Sequence, residues 1–135
     1  TDTLNASETD DVVAAVKEFT KGGVEYSFEA IGLKQTAEQA FEMLAVGGTA
    51  TIVGMVPSNT KLEIRGIDFL SEKKLQGSMM GSNQFRTDIP QMIDLYLNGR
   101  LLLDEMVSAT IDLEQVNEGY AWMKEGTVAR TVISF

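Results

Sequence analysis

The segments VEYSFEAIG (Val24–Gly32) and TATIVG (Thr49–Gly54) are the part of this 135-residue chain whose pattern decides its fold. The first alternates: Val24, Tyr26, Phe28 and Ala30 fall on one face and Glu25, Ser27 and Glu29 on the other. A period of two that ends at a glycine is the mark of a strand running into a turn. The second is a short β-branched run between glycines, the form expected of a strand buried on both faces of a parallel sheet. Between them, Thr36 opens a T-x-x-Q capping pattern with Gln39, and Ala37, Ala40, Phe41 and Leu44 form an apolar stripe that Gly47 and Gly48 close. That spacing predicts a helix. Two strands joined through a helix read as a parallel crossover unit, because a tight turn can join only antiparallel neighbours.

The same alternation extends in both directions. Upstream, Val12, Val13, Val16 and Phe19 predict a helix over Ser7–Thr20 that stops at Gly22 and Gly23. Downstream, a short strand is expected over Lys61–Ile64 and another over Lys74–Met80, ending at Gly81. Ile89, Met92, Ile93, Tyr96 and Leu97 then predict a helix over Thr87–Asn98, with Pro90 tolerated in its first turn and Gly99 beyond its end. A strand at Val107–Thr110 follows. Asp112 and Gln115 form a D-x-x-Q cap for a helix with the stripe Leu113, Val116, Tyr120 and Met123, and Thr127–Phe135 closes the chain as a strand. No repeat is present, and no linker is read that would divide the chain.

Composition narrows the chemistry. Twenty acidic residues against 11 basic ones give a net charge of −9, a field that repels phosphate backbones and anionic lipid, so no nucleic-acid or membrane partner is expected. With no Cys and no His, the chain cannot supply thiolate or imidazole zinc ligands, a catalytic triad or a disulfide. Thr1 is not an initiating Met, and no basic and apolar leader follows it. The chain is therefore read as a piece of something longer, of cytoplasmic location.

In open parallel sheets, ligands bind outside the carboxyl ends of the strands. Three such ends are expected here: Ala30-Ile31-Gly32, Val53-Gly54-Met55, and Ser78-Met79-Met80-Gly81. Neither G-x-G-x-x-G nor a P-loop occurs, so the phosphate loop of any bound nucleotide lies outside this chain.

Five blocks at these places and beyond carry a family resemblance: GGVEYSFEAIG (Gly22–Gly32), GGTATIVGMVP (Gly47–Pro57), LQGSMMGS (Leu75–Ser82), VNEGYAWMKEG (Val116–Gly126) and RTVISF (Arg130–Phe135). In this order they resemble the C-terminal part of zinc-dependent medium-chain alcohol dehydrogenases, with the class III, formaldehyde-dehydrogenase-like branch as a near relative. The resemblance implies an α/β fold: the second half of a doubly wound, Rossmann-type parallel sheet, with the C-terminal helix and strand of the parent enzyme. It implies a partial coenzyme-binding domain over about residues 1–98 and a segment over about 99–135 returning toward the catalytic domain. Thr1–Ala6 would match the last strand of an absent first half, left without ladder partners. The N-terminal zinc domain would also be absent, leaving zinc to the parent enzyme and this chain inactive alone.

The resemblance also implies residue roles. Ala30 and Ile31, with Gly32, would wall the adenine side of NAD, with NADP not excluded. Main-chain groups of Val53, Ser78 and Met80 would hold the nicotinamide carboxamide, and Gly54 would let the ribose approach. At Ser78 the family has Ala or another small residue, and at Met80 often an aromatic. Met55 and Met79 would line the substrate channel, and Arg130 would meet the pyrophosphate, to which a guanidinium fork is suited. Hydride transfer between NAD and a small alcohol or aldehyde is the implied reaction, and a homodimer paired through the sheet edge at residues 74–80 the implied assembly. Two other readings stand beside it: a zinc-free, NADPH-dependent reductase of the quinone or enoyl type, and a non-catalytic nucleotide-binding or dimerisation module.

Overall fold

The computed structural model describes residues 2–135, which form two compact units, one reaching to Asn83 and the other spanning Gln84–Phe135.

The first unit is built on a three-stranded parallel sheet of β1 (Val24–Glu29), β2 (Leu44–Ile52) and β3 (Lys74–Gly77), in that spatial order. Tyr26, Ser27, Phe28 and Glu29 pair with Thr49, Ala50, Thr51 and Ile52, and these in turn stand beside Lys74, Leu75, Gln76 and Gly77. Helix α1 (Val12–Phe19) precedes the sheet, capped by Asp11, whose carboxylate accepts from the Ala14 amide at 2.9 Å. Helix α2 (Lys34–Glu42) makes the crossover from β1 to β2. It buries Ala37, Ala40 and Phe41. Ala40, Phe41, Leu44 and Ala50 form the centre of the core, with Val24, Ile64 and Leu75 packed around them. The Phe41 ring meets that of Phe69 at 5.0 Å, tilted 41°.

The faces of β1 are the reverse of the simplest reading of its alternation. Tyr26 and Phe28 are 71% and 72% exposed, whereas Ser27 and Glu29 are buried. Ser27 turns toward α2, and its hydroxyl donates to the Ala40 carbonyl at 2.6 Å. A short polar side chain with its own acceptor can lie under a helix at little cost.

Asp2–Asn5 belong to no strand and lead into a single 3-10 turn at Ala6–Glu8, which agrees with the expectation that the parental strand over Thr1–Ala6, without ladder partners, would not persist; Thr1 lies outside the described residues. Other elements also differ from expectation. Lys61–Ile64 is not a strand. It is fastened to α2 by charge, with Lys34 paired to both Glu38 and Glu63 and the Glu63 amide donating to Glu38 at 2.7 Å. Helix α2 begins two residues before Thr36, which therefore caps nothing. Strand β3 stops at Gly77 rather than Met80.

The second unit contains α3 (Phe85–Leu97) and a two-stranded parallel sheet, β4 (Ala109–Asp112) with β5 (Thr131–Ser134), joined by α4 (Val116–Glu125). Ala109 through Asp112 pair in register with Thr131 through Ser134. The capping box at Asp112 and Gln115 forms as expected, opening a 3-10 turn that continues into α4. A cavity of about 310 Å³ between α4 and this sheet is lined by Ile111, Val116, Tyr120, Met123 and Arg130. No helix among the described residues is long and apolar enough to cross a membrane.

Phe41 is fully buried, so Phe41→Ala should lower stability by about 3–5 kcal/mol, measured as urea unfolding. Phe69→Ala, at a half-exposed ring, should cost clearly less. Equal losses would mean that Phe41 is not the centre of the core.

Candidate functional site

The three strands of the first unit are parallel, so their carboxyl ends lie side by side on one edge, and the chain leaves each of them in a differently restrained turn. After β1, Glu29 controls the exit. Its Oε1 accepts from the Ile31 amide at 2.9 Å, the Gly32 amide at 2.7 Å and the Thr36 hydroxyl at 2.7 Å. The residue is 4% exposed, and its Oε2 is buried with no hydrogen-bond partner. Burial alone would raise this carboxyl, but the Thr36 hydroxyl and the amides of Gly32, Ile31 and Leu33 outweigh it and hold the group below the ordinary glutamate range.

The exit from β2 is tied to the same residue. The amides of Val53 and Gly54 both donate to the Glu29 carbonyl, at 2.7 and 2.9 Å. Gly54 must be glycine here, since a Cβ would come within 2.2 Å of the Gly32 amide nitrogen and 2.4 Å of Glu29 Oε2. Gly32, at φ +91°, is in turn pressed onto the main chain of Met55, where a Cβ would sit 2.7–2.8 Å from backbone atoms. The two turns are thus in main-chain contact.

At the end of β3, the Ser78 amide donates to the Ile52 carbonyl at 2.8 Å, which continues the ladder by one residue. The chain then enters the left-handed region for three residues in succession, Met80 (φ +50°), Gly81 (φ +72°) and Ser82 (φ +55°). Such a conformation costs of order 1–3 kcal/mol per non-glycine residue and persists only where neighbours enforce it. Here Asn83 donates its side-chain amide to the Met80 carbonyl at 2.6 Å, and the Ser78 and Ser82 hydroxyls are bonded at 2.9 Å.

Nine of the ten candidate residues therefore stand on one edge: Ala30, Ile31, Gly32, Val53, Gly54, Met55, Ser78, Met79 and Met80. The side chains of Ile31, Met55, Met79 and Met80 are largely exposed, while Gly32 is buried. Arg130 belongs to the second unit, immediately before β5, where its carbonyl accepts from the Ser108 amide at 2.8 Å. Glu29, Thr36 and Asn83 are the restraining residues that sequence reasoning passed over. The signal for Glu29 was available: an acid two and three residues before the amides it binds, with a hydroxyl seven residues on. Among the described residues no three Cys, His, Asp or Glu side chains converge as metal ligands. The two apposed glycines instead bring the turns after β1 and β2 into main-chain contact at the strand ends, the place where open parallel sheets bind their ligands.

Residues 1–98 match the family described as zinc-binding dehydrogenase. The chain belongs to that family. Among zinc-binding dehydrogenases and their relatives, it is 32% identical over 140 residues to the alcohol dehydrogenase class-3 of Cereibacter sphaeroides, covering 98% of this chain and 37% of that protein. The crystal structure of an alcohol dehydrogenase zinc-binding domain protein from Burkholderia ambifaria superposes with a TM-score of 0.85 at 32% identity, over 98% of this chain and 35% of the other. A zinc-binding dehydrogenase structure from Sinorhizobium meliloti 1021, bound to NADP, matches with a TM-score of 0.73 at 30% identity, over 86% of this chain and 34% of that one. The chain thus spans about a third of the length of these relatives. Its parallel α/β sheet is the Rossmann-type arrangement of the family.

A carboxyl held low in the folded state stabilises the fold above its unfolded pKa, and that contribution disappears as pH falls through the folded value. The stability gap between the wild type and Glu29→Gln, read by urea unfolding, should therefore be widest near neutrality. It should narrow as pH drops below the ordinary value of 4.5. A gap that widens on acidification would contradict the bonding described for Glu29.

Proposed function

We propose that this chain is the dinucleotide-binding part of a longer dehydrogenase that moves hydride between a nicotinamide dinucleotide and a small alcohol or aldehyde. The observation that carries the reading is the shared edge: three parallel strand ends, two of them locked together through Gly32, Gly54 and Glu29. Membership of the zinc-binding dehydrogenase family supports it. When bound, the dinucleotide supplies the hydride chemistry. Zinc, for which this chain offers neither a Cys nor a His ligand, would belong to the rest of the parent protein.

In this reading Ala30 and Ile31 offer apolar contact to the adenine side, and Gly54 leaves room for the nicotinamide ribose. The amides of Val53 and Ser78 are already engaged by Glu29 and Ile52, so these residues can offer a carboxamide only their carbonyls, which suit its NH2 group. Met55 and Met79, exposed and flexible, would face the substrate. The coenzyme is NAD, with NADP as the alternative; the Sinorhizobium relative's bound NADP supports keeping both. Location in the cytoplasm completes the proposal.

We also propose a homodimer through the edge at residues 74–80. β3 is an outer strand whose free side carries little charge beyond Lys73 and Lys74, which leaves its backbone groups open to pairing. Two-fold pairing of that edge with its own copy closes the assembly.

Arg130 tests the coenzyme assignment. In the full-length protein, Arg130→Ala should weaken dinucleotide binding by about 1.5–3 kcal/mol, with the alcohol KM unchanged. An unaltered dinucleotide Kd would remove Arg130 from the site. For the dimer, Ser78 directs its amide inward, so by the strand's period of two the Gly77 amide points to the free edge. Gly77→Pro should halve the mass seen by light scattering while leaving the circular dichroism spectrum intact. A mass that stays dimeric would assign the contact to another surface.

A further inference from the structure

We propose that Glu29 is the positioning residue of the dinucleotide site, a single acid that sets the turn after β1 against the turn after β2. The proposal rests on the dinucleotide-binding reading above and deepens it by naming what shapes the edge before any ligand arrives.

Two parts of Glu29 act on two segments. Its carboxylate gathers the Ile31 and Gly32 amides and the Thr36 hydroxyl onto one oxygen, so the turn Ala30–Leu33 and the first turn of α2 share one anchor. Its main-chain carbonyl takes the Val53 and Gly54 amides, both at the exit from β2. Five donors from three segments therefore converge on one residue, and it is a residue with almost no exposed surface. Three donors on a single oxygen suit an anion, since a carboxylate oxygen offers only acceptor sites and binds N–H and O–H groups more strongly than a neutral amide does.

The second carboxylate oxygen explains why the acid cannot be exchanged freely. Oε2 is buried and unpartnered, and it occupies the space that a Gly54 side chain would need. An amide nitrogen in its place would bury N–H groups at a position where the carboxylate oxygen finds no hydrogen-bond partner. Glu29 thus holds the two turns together from one side while Gly54 permits their contact from the other. Ile31 and Val53, the residues next to these contacts, are the ones whose placement a bound dinucleotide would sense. Displacing a binding group by a fraction of an ångström is enough to weaken a preorganised site, and supporting hydrogen bonds are what hold such groups in place.

The test uses the full-length protein and both NAD and NADP as probes, with Kd measured by fluorescence titration well below the unfolding temperature. Glu29→Gln should weaken binding of the preferred dinucleotide about ten-fold and raise its KM correspondingly, with kcat at saturation changed less than about two-fold. Thr36→Val, a milder change that removes only the hydroxyl from Oε1, should weaken binding about three-fold. Ser27→Ala is the control for a merely structural effect. It deletes another buried hydrogen bond of β1, the one to Ala40, and should lower the melting temperature without altering either Kd. A Glu29→Gln protein that loses thermal stability but keeps its dinucleotide Kd within two-fold overturns the inference and leaves the functional reading standing. Should Glu29→Gln not fold, an unchanged Kd in Thr36→Val overturns it equally. A wild-type protein that binds neither dinucleotide overturns the functional reading, and this inference with it.

Discussion

Because β1, β2 and β3 all run in the same direction, the chain must travel back along the sheet between each strand and the next, and something has to cover the face it crosses. Much of the first unit follows from that constraint. Helix α2 makes the first return, and it can lie flat on the sheet because small residues, Ala37 and Ala40, meet the strands beside the single large ring of Phe41. The second return, from β2 to β3, contains no α-helix. Lys34 and Glu38 on α2 hold it through Glu63, while Ile64 enters the core. Parallel direction also brings all three carboxyl ends to one edge, so the candidate site is a by-product of how the core is closed.

The periodic elements were legible from residue types alone, because their signals are local. The Ala37, Ala40 and Phe41 spacing of α2, the β-branched run of β2, the Asp112–Gln115 box and the apolar spacing of α3 each specify an element without reference to the rest of the fold, although Leu44, Gly47 and Gly48, read as the end of α2, belong to β2. What escaped was decided by partners distant in sequence. Which face of β1 is buried depends on Ser27 finding the Ala40 carbonyl and Glu29 finding the turn amides, and alternation in a parallel strand does not by itself say which face is covered. Lys61–Ile64 alternates as a strand would, yet the ladder gives it no neighbour. The boundary at Asn83 follows Gly77, Ser78, Gly81 and Ser82, residues that read equally well as the turn after β3, so composition alone did not mark it as a division of the chain.

The candidate site was legible in its location and not in its mechanics. Glycine after a strand pointed to places where the chain needs close main-chain approach, since Gly32 and Gly54 do stand there in contact with neighbouring main chain. The restraints on that edge come from polar side chains that look like ordinary surface residues in a sequence: Glu29, Thr36, Ser78, Ser82 and Asn83. Asn83 and Ser82 in particular acquire meaning only beside three consecutive left-handed residues, a conformation no spacing pattern announces. Membership of the zinc-binding dehydrogenase family adds a chemical context, while the bonds that shape the edge are read from this chain itself.

The main-chain contact between Gly32 and the Gly54–Met55 segment has an evolutionary consequence. A surface whose shape is set by backbone and by one buried acid does not depend on the side chains that decorate it. Ile31, Met55, Met79 and Met80 project outward from that frame and make few demands on the core. Drift at those four positions can therefore change the surface of the strand ends at small risk to folding, whereas Gly32, Gly54 and Glu29 are tied to one another by close contact. A lineage exploring new substrates would be expected to keep that trio frozen while its outward neighbours vary, and a laboratory library would best be randomised along the same division.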